Sequence, residues 1–439
     1  MTEKVVYKNI DKPDSETIQA YLKSGGYQVL ARLAQKGHPS QVIEEIKKSS
    51  LRGCGGAGFP TGVKWEFVAQ VQSSPKYIIC NADEGEPGTF KDRIIMEQDP
   101  HLLIEGIAIA GFAIGAETGF IYIRGEYTLP WERLRQALSE AYEHNILGDR
   151  VFGSQRKFHI KLRRGAGSYI CGEETALINS LEGKRGVPRL RPPYPTTHGL
   201  WGQPTLVNNV ETLARVPAIM EKGDDWYRHL GRNGTAGTKV YCISGHVLKP
   251  GAYELPMGIT ARELIYDYAG GIQGSSKLKA FSPGGLSSGV LPAKMVDIPL
   301  DYDSLASAGS MLGSGAMIIM DESTCMVNMA LRAARFFAHE SCGECTPCRI
   351  GTERMVQLLT KITDGNGSWP DVEIIEELGK RMAIDSRCGL GQAVPLPFLS
   401  SLKHFREEYK AHIEEKECPS RVCPISRLAV PHSMQEVPL

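Results

Sequence analysis

Three cysteines, each separated from the next by two residues, are the feature that most constrains this chain. Cys342, Cys345 and Cys348 stand in the segment 340–348, and Cys388 follows further along. A Cys-x2-Cys-x2-Cys run brings three thiolates to one point, and a distant fourth can complete the ligand set of a cubane iron–sulfur cluster. Zinc also takes four thiolates, but its sites usually come as two Cys-x2-4-Cys pairs. The spacing therefore favours a [4Fe-4S] cluster, with zinc or unliganded buried thiols as the alternatives.

The composition is that of a globular protein with several domains. The chain has 439 residues, of which 42% are apolar and 23% charged, and two to four domains are expected at this length. Lysine plus arginine equals aspartate plus glutamate, at 50 each. A balanced charge gives no general attraction to nucleic acid or to an anionic membrane, so neither is an expected partner.

The termini and the apolar stretches predict a cytoplasmic chain. The N-terminus lacks the basic start and apolar core of a signal peptide. The most apolar stretch, 102–120, is interrupted by Glu105 and Glu117 and is too short to span a bilayer. Eleven cysteines without a secretory signal indicate a reducing compartment and metal binding rather than disulfides. No direct membrane insertion is expected.

The first half of the chain predicts an α/β layer. Apolar runs of strand composition at 76–81, 119–124 and 158–163 alternate with helical patterns, which argues for a largely parallel sheet. The proline-rich segment 188–204 is expected to be a loop. The composition then shifts near 231–237, and a strand-turn-strand-helix order suggests a small α+β module. Beyond it the pattern is helical almost throughout.

Two glycine-rich loops lie in the α/β region. The loop 52–62 formally matches G-x-G-x-x-G, but a helical stretch precedes it and Pro60 follows, so the Rossmann interpretation fails. Its bare backbone can still approach a flat ring or a pyrophosphate, and a tight loop between helices is the alternative. The loop 165–168, between a strand and a helix, suits one phosphate. Flavin mononucleotide held by these loops would be a natural electron carrier to an iron–sulfur centre, because it accepts a hydride and releases electrons singly.

Six segments together resemble the flavin- and NADH-binding subunit of respiratory complex I, the 51-kDa or F-type family of NADH:quinone oxidoreductase. They are 53–65, 81–93, 165–174, 208–212, 340–348 and 387–389. The resemblance extends from about residue 15 to 415. The same segments are equally similar to the diaphorase subunits of NAD-linked hydrogenases and formate dehydrogenases.

The resemblance implies a multidomain α/β fold. Its parts are an FMN-binding α/β domain with a mainly parallel sheet, a ubiquitin-like (β-grasp) α+β module, and a C-terminal helical bundle with one [4Fe-4S] cluster. On this chain we expect the FMN- and NADH-binding domain, with an N-terminal extension, at 1–235 and the ubiquitin-like module at 236–320. The helical iron–sulfur domain is expected at 321–425, and a tail at 426–439.

The resemblance also implies a reaction and its residues. NADH would pass a hydride to FMN, and electrons would go singly to the cluster and onward towards quinone. Lys64 would be a cationic partner of the flavin. Glu86 and Glu174 would repel a 2′-phosphate and so favour NADH over NADPH, their alternatives being a solvated turn and a helix-start carboxylate. These three residues are the predicted catalytic set.

The further cofactor-binding residues carried over from the family, or assigned to its glycine loops, are Gly53, Gly55, Gly56, Gly58, Phe59, Gly62, Phe67, Asn81, Asp83, Glu84, Gly167, Tyr169, Gly172, Glu173, Arg191, Tyr194, Asn208, Asn209 and Thr212. The expected cluster ligands are Cys342, Cys345, Cys348 and Cys388.

Protein partners follow from onward electron transfer. The resemblance implies a small thioredoxin-like [2Fe-2S] subunit of the E or 24-kDa type, and further subunits of the complex I peripheral arm. The chain would then lie peripheral to the inner or cell membrane within a membrane-bound complex. A hydrogenase or formate dehydrogenase diaphorase is the alternative within the redox class. A non-redox scaffold stapled by zinc is the alternative outside it.

The remaining cysteines and the histidines are given no cofactor role. Cys54 stands where the family loop usually has arginine, which puts a phosphate contact there in doubt. Cys418 and Cys423 are expected to be a vestige or a contact surface, as two thiolates without partners. The eleven histidines show no metal-ligand spacing. Four solitary cysteines are expected to be core thiols: Cys80, Cys171, Cys242 and Cys325.

Overall fold

The computed structural model describes residues 3–425, so the predicted tail at 426–439 lies outside the described residues. A four-stranded parallel sheet in the order β3-β2-β1-β4 organises the first half of the chain. Cys80 of the inner strand β1 lies opposite Ile121 on one side and Asn208 on the other. The strands are β1 (Tyr77–Ala82), β2 (Thr118–Ile123), β3 (His159–Arg164) and β4 (Thr205–Asn209).

Eleven described helices belong to this part of the chain, four of them before β1. They are α1 (Ile18–Lys23), α2 (Gln28–Lys36), α3 (Pro39–Lys48), α4 (Thr61–Gln70), α5 (Lys91–Gln98), α6 (Pro100–Ile114), α7 (Thr128–Glu143), α8 (Glu174–Leu181), α9 (Pro195–His198), α10 (Val210–Lys222) and α11 (Asp224–His229). The short helix α9 and a 3-10 turn at Leu200–Gly202 stand where the proline-rich segment predicts a loop, so that prediction is wrong in part. Pro195 occupies the first helical turn, where its missing N–H costs nothing.

Helix α6 is the buried centre of the α/β layer. It begins at Pro100 and is followed by Gly115, whose φ of 76° ends it in a left-handed conformation. A Cβ at Gly106 would lie 2.0 Å from the carbonyl oxygen of Leu213 in α10. The absence of a side chain at Gly106 therefore lets the two helices touch through their backbones.

A mixed five-stranded sheet forms the second part of the chain, in the order β6-β5-β9-β7-β8. Its strands are β5 (Thr238–Gly245), β6 (Gly251–Pro256), β7 (Leu278–Ser282), β8 (Leu291–Pro292) and β9 (Ala316–Asp321). β5 and β9 pair in parallel and the other neighbours pair antiparallel. A π-helical segment at Glu263–Tyr268 and the helix α12 (Tyr302–Ser307) complete this part.

Helices make up nearly all of the last part. They are α13 (Met326–Glu340), α14 (Thr346–Thr363), α15 (Trp369–Asp385), α16 (Gly389–Ala393), α17 (Leu396–His404) and α18 (Arg406–Lys410), followed by a π-helical turn at Ala411–Glu415. Two of the joins between helices carry Cys342, Cys345 and Cys388, and Cys348 lies in the first turn of α14. A parallel sheet, a second sheet and C-terminal helices thus confirm the predicted multidomain α/β fold class. Among the described residues, no helix is both long and apolar enough to cross a membrane.

Candidate functional site

A cavity of about 560 Å³ opens at the carboxyl edge of the parallel sheet, the edge where open α/β sheets bind ligands. Asn81 and Asp83 reach it from the end of β1, and Asn209 from the end of β4. The glycine-rich loop 52–62 forms another wall. The predicted site residues that line this cavity are Gly55, Gly56, Asn81, Asp83, Glu84, Glu86, Tyr169, Gly172, Glu173 and Asn209.

The other walls come from the second sheet region and from the C-terminal helices. Ser287 and Ser314 contribute from the former, and Gly389 and Leu390 from the latter. Gly389 directly follows Cys388, so the cavity borders the cysteine motif. The site therefore lies where three parts of the chain meet, which the sequence pattern did not reveal.

One residue of the cavity wall leaves empty space beside it, and another has a polar atom without a hydrogen-bond partner. A Cβ built on Gly56 meets no atom within 4 Å, so this glycine leaves room for a ligand. The Oδ2 atom of Asp83 is buried and has no hydrogen-bond partner. Burial raises the pKa of Asp83 to about 7. A buried carboxyl oxygen of this kind calls for a donor from outside the chain.

Glu86 joins two parts of the chain across the cavity. Its Oε2 accepts a hydrogen bond from the Tyr169 hydroxyl at 2.6 Å, and its Oε1 accepts one from the Ser287 N–H at 2.8 Å. Burial raises the pKa of Glu86, against the lowering effect of these donors. Glu86 is thus not the solvated turn carboxylate that one interpretation of the sequence allowed.

Lys91 and Asp92 also line the cavity, although the sequence analysis assigned them no role. Lys91 Nζ lies 2.7 Å from Asp92 Oδ1 and 3.0 Å from Glu211 Oε2. Burial opposes the charge of Lys91, but the carboxylates of Asp92, Glu211 and Glu84 outweigh it and raise the pKa of the amine. Both residues lie in the segment 81–93 that carries the family resemblance. That position was the signal in the sequence that could have identified them as site residues.

Lys64 and Glu174 form an ion pair outside the cavity lining. Lys64 Nζ donates to Glu174 Oε2 at 2.7 Å and to the Val207 carbonyl at 2.9 Å. Arg191 Nη2 lies 3.3 Å from Glu174 and also contacts Glu173. Burial would raise the pKa of Glu174, but Lys64 and then Arg191 hold it below its usual value. The carboxylate of Glu174 is therefore already neutralised by two cations.

Three predicted aromatic residues are exposed on the surface. Phe59 and Phe67 are each 48% exposed with ring centroids 6.5 Å apart, and Tyr194 is 55% exposed. Exposed rings of this size can stack on a flat ligand. The predicted residues that do not line the cavity are Gly53, Gly58, Phe59, Gly62, Lys64, Phe67, Gly167, Glu174, Arg191, Tyr194, Asn208 and Thr212.

The structure gives several of these outlying residues a packing role. A Cβ at Gly58 would lie 2.3 Å from the ring of Tyr302, and one at Gly62 would lie 2.6 Å from the backbone of Lys47. Asn208 accepts a hydrogen bond from a buried tryptophan at 2.8 Å. These contacts shape the loop and the strand that support the cavity.

Cys54 is buried and lies outside the cavity lining. Its backbone N–H donates to Thr212 Oγ1 at 2.8 Å, which ties the glycine-rich loop to α10. The residue is only 2% exposed. The loop is therefore anchored through its backbone and Thr212, whatever side chain stands at position 54.

Three of the four cysteines of the first motif lie at two helix starts, and Cys342 lies in the loop before the first of them. Cys345 precedes α14, Cys348 lies in its first turn, and Cys388 precedes α16. Burial raises the pKa of the Cys348 thiol to about 11, and the neighbouring thiols of Cys345, Cys388 and Cys342 add to this. Backbone N–H groups of Gly391 and Leu390 point at the Cys388 sulfur. The thiols of Cys342, Cys345 and Cys388 are therefore near enough to Cys348 to act on its charge.

The sequence did not predict a second group of side chains that could hold a metal ion. Cys325, His412, Cys418 and Cys423 are buried, and their ligand atoms all lie within 4.8 Å of one another. The prediction that Cys325 is a solitary core thiol is wrong, and so is the prediction that Cys418 and Cys423 lack partners. The prediction that no histidine stands at metal-ligand spacing is also wrong, because His412 belongs to this group. The spacing His-x5-Cys-x4-Cys was the signal in the sequence; its fourth member lies far upstream.

Comparison with known families covers most of the chain. Residues 46–218 match a family described as the Nuo51 FMN-binding domain. Residues 239–319 match the SLBB domain, and residues 328–412 match the NADH-ubiquinone oxidoreductase-F iron–sulfur binding region.

Individual relatives agree with these matches. The second F-type subunit of the NADH-quinone oxidoreductase of Rhizobium meliloti is 51% identical over 95% of this chain and 100% of its own length. The NADP-reducing hydrogenase subunit HndC of Solidesulfovibrio fructosivorans is 45% identical over 96% of this chain and 85% of its own length. The crystal structure of an NAD+-reducing [NiFe]-hydrogenase in the H2-reduced state superposes with a TM-score of 0.81 at 37% identity, over 92% of this chain and 68% of that one.

These matches confirm the predicted family, together with FMN and one [4Fe-4S] cluster as cofactors. The chain belongs to the family of F-type subunits of NADH-quinone oxidoreductase, with an FMN-binding domain and an iron–sulfur binding region.

Proposed function

We propose that this chain oxidises NADH by means of FMN bound in the 560 Å³ cavity, and delivers the electrons to a partner protein through a [4Fe-4S] cluster. The observation that carries the proposal is the position of Gly389 and Leu390. They line the cavity and directly follow Cys388, so a flavin there would be a neighbour of the cluster. FMN accepts two electrons as a hydride and can release them one at a time.

The residues of the cavity fit a flavin nucleotide. Its volume falls in the range of about 300–1,000 Å³ that cofactor sites occupy. Gly56 leaves open space along one wall, and the unpaired Asp83 Oδ2 offers an acceptor to a ribityl hydroxyl or a ring N–H. Lys91 also lines the cavity, but Asp92 and Glu211 already compensate its positive charge. Asn81, Asn209 and Tyr169 complete the polar contacts.

The proposed cluster ligands are Cys342, Cys345, Cys348 and Cys388. Three of the four stand at two helix starts, which supports the assignment, because helix N-termini and backbone N–H groups stabilise the negative charge of thiolates. Tyr169 connects the cavity to this region, since its backbone N–H donates to Glu340 Oε2 at 3.0 Å. Glu340 ends the helix that leads into the cysteine run.

The proposed nucleotide-binding face lies next to the cavity. Phe59, Phe67 and Tyr194 would stack on the rings of NADH, which their exposure permits. Glu86 would repel a 2′-phosphate more effectively than Glu174, because Lys64 and Arg191 already neutralise Glu174. The catalytic contribution of these side chains is positioning and charge, since hydride transfer itself needs no side-chain acid or base.

The proposed setting is a larger complex. The family names imply assembly with other subunits. We infer that the first partner is a small thioredoxin-like [2Fe-2S] subunit of the E or 24-kDa type, within a membrane-bound complex I to which this chain is peripheral. We also propose domain boundaries at 1–235, 236–320 and 321–425.

A diaphorase subunit of an NAD-linked hydrogenase is the second candidate. It is favoured by the similarity to HndC and by the superposition on the NAD+-reducing [NiFe]-hydrogenase. Purification of the complex from its source, followed by mass spectrometry of the co-purified subunits, separates the two. Quinone-reductase arm subunits support complex I, and a [NiFe] or [FeFe] catalytic subunit supports the hydrogenase.

Absorbance and electron paramagnetic resonance test the proposed function. The purified chain should show flavin bands that bleach on addition of NADH under anaerobic conditions. Cys388→Ala should lose the cluster signal of the reduced protein while FMN stays bound, because Cys388 is a ligand and only its neighbours line the cavity. Retention of the cluster signal in Cys388→Ala would refute the ligand assignment, and absence of flavin from the wild type would refute the function.

A further inference from the structure

The buried group of Cys325, His412, Cys418 and Cys423 lies apart from the cysteines assigned to the iron–sulfur cluster. Cys325 precedes α13, and the other three lie between residue 412 and the last described residue. Helix α13 has 15 residues, about 22 Å at 1.5 Å per residue, and separates Cys325 from the cysteine run that follows its C-terminus. The group is therefore a separate feature of the helical part.

The three distances among Cys325, His412 and Cys423 match a single tetrahedral metal ion, and Cys418 lies within 4.8 Å of each of them. Zinc with bonds of about 2.3 Å to sulfur and about 2.0–2.1 Å to nitrogen places two sulfurs about 3.8 Å apart and a sulfur and a nitrogen about 3.5 Å apart. The sulfurs of Cys325 and Cys423 lie 3.6 Å apart. His412 Nε2 lies 3.6 Å from the Cys325 sulfur and 3.3 Å from the Cys423 sulfur. A cubane binds each thiolate to a different iron and would need a wider ligand set.

His412 is oriented as a metal ligand. Its Nδ1 atom lies 2.7 Å from the Glu408 carbonyl oxygen, so Nδ1–H is the donor and the lone pair of Nε2 points at the thiols. A backbone acceptor on the distal nitrogen is the usual support of a metal-binding histidine. The Cys325 sulfur is itself fixed by the Asn328 N–H at 3.4 Å.

Burial argues for a structural site. His412, Cys418 and Cys423 have no exposed surface, and Cys325 is 2% exposed. The four ligands close the coordination shell and leave no open position for a substrate. A divalent cation would compensate the charge of several buried thiolates packed this closely, which one imidazole cannot do.

We propose that this chain binds one zinc ion through Cys325, His412, Cys418 and Cys423, in addition to its FMN and [4Fe-4S] cluster. Zinc fits the set of soft thiolates with one imidazole in tetrahedral geometry. The ion fastens the last described residues to the start of α13, the helix that ends at the cluster cysteines. Its role is to hold the helical part together rather than to carry electrons, because zinc has no redox chemistry in proteins.

Metal analysis of the full-length chain tests the proposal directly. Inductively coupled plasma mass spectrometry should find one zinc per chain beside the iron of the cluster. X-ray absorption at the zinc edge should show three sulfur neighbours at about 2.3 Å and one nitrogen at about 2.0–2.1 Å. Absence of zinc from protein produced in zinc-containing medium, iron in its place, or a disulfide between two of these thiols would each overturn the proposal.

Variants locate the ion. Cys423→Ala and His412→Ala should each lose the zinc and lower the melting temperature, while the reduced-cluster resonance signal persists in the folded fraction. Cys80→Ala removes an equally buried thiol from β1 and should keep the zinc. Zinc retained in both site variants would refute the assignment. If these variants do not fold, the numbers of sulfur and nitrogen neighbours measured at the zinc edge of the wild-type protein decide whether the proposal stands.

Discussion

Replacing Glu211 by glutamine should destabilise the protein through a buried charge network. Glu211 is fully buried, and its carboxylate meets three cations: Arg215 at 2.6 Å, Lys239 at 2.6 Å and Lys91 at 3.0 Å. It also accepts the Val240 N–H of β5 at 2.9 Å, so it joins the flavin domain to the second sheet.

The loss of stability in Glu211→Gln depends on which hydrogen-bond and ion-pair partners each of the three cations keeps. Lys91 keeps Asp92 at 2.7 Å and Arg215 keeps Glu254 at 3.5 Å, but Lys239 keeps only the Ser314 carbonyl at 2.9 Å. Removing one partner of a buried ion pair costs about 3–5 kcal/mol. With an unfolding entropy of about 2.1 cal/mol/K per residue over the whole chain, this corresponds to a fall in melting temperature of about 3–5 °C.

Thermal unfolding of wild type and Glu211→Gln at pH 7 measures this difference. A matched control is Glu117→Gln, which removes an exposed pair with Lys157 at 3.6 Å and should change stability by less than about 1 kcal/mol. Equal melting temperatures for Glu211→Gln and Glu117→Gln would refute the reasoning.

The same network has a pH dependence. Burial opposes ionisation of Glu211, but Lys239, Lys91 and Arg215 hold its pKa well below the usual value. A lowered pKa in the folded state stabilises at pH values above the unfolded pKa, about 4.3 for glutamate, and the contribution is lost as the pH falls below it. The gap between wild type and Glu211→Gln should therefore stay constant from pH 7 to about pH 5 and shrink in stronger acid.

Three further experiments, with four substitutions between them, test the site and the core. Glu86→Gln combined with Glu174→Gln should raise NADPH oxidation relative to NADH several-fold, with most of the effect in the single Glu86 variant; unchanged preference by steady-state kinetics would count against charge-based selectivity. Gly56→Val should fold normally but bind less FMN, measured by flavin absorbance per chain, because its side chain would project into the cavity; full FMN occupancy would contradict this. Gly106→Ala should destabilise by at least about 1–3 kcal/mol in urea unfolding, because its Cβ would overlap the Leu213 carbonyl; a neutral result would show that α6 and α10 can separate without cost.

Local signals in the sequence were sufficient for the elements of the fold. The alternation of strand and helix predicted the parallel sheet, and β1, β2 and β3 lie within one or two residues of their predicted positions. The error at the proline-rich segment came from proline itself. It is excluded from helix interiors but accepted in the first turn, where Pro195 starts α9.

The cofactor residues were predicted less completely. The segment 81–93 marked one wall of the cavity because its residues are adjacent in sequence. Ser287, Ser314 and Leu390 come from distant parts of the chain, and no local pattern distinguishes them from other loop residues. The pairing of Lys64 in α4 with Glu174 in α8 likewise depends on the tertiary fold.

The two cysteine groups show most clearly what can be predicted from the sequence and what depends on the tertiary structure. Sequence alone was enough to predict a site at Cys342 to Cys388, because three of its proposed ligands stand in one short run whose spacing fits a cubane. Only the tertiary structure brought Cys325 to His412, Cys418 and Cys423, across 87 residues between the first ligand and the next. A ligand set is readable in a sequence when its members are neighbours along the chain. When they become neighbours through helix packing, the distances and the direction of the His412 lone pair exist only in the folded protein.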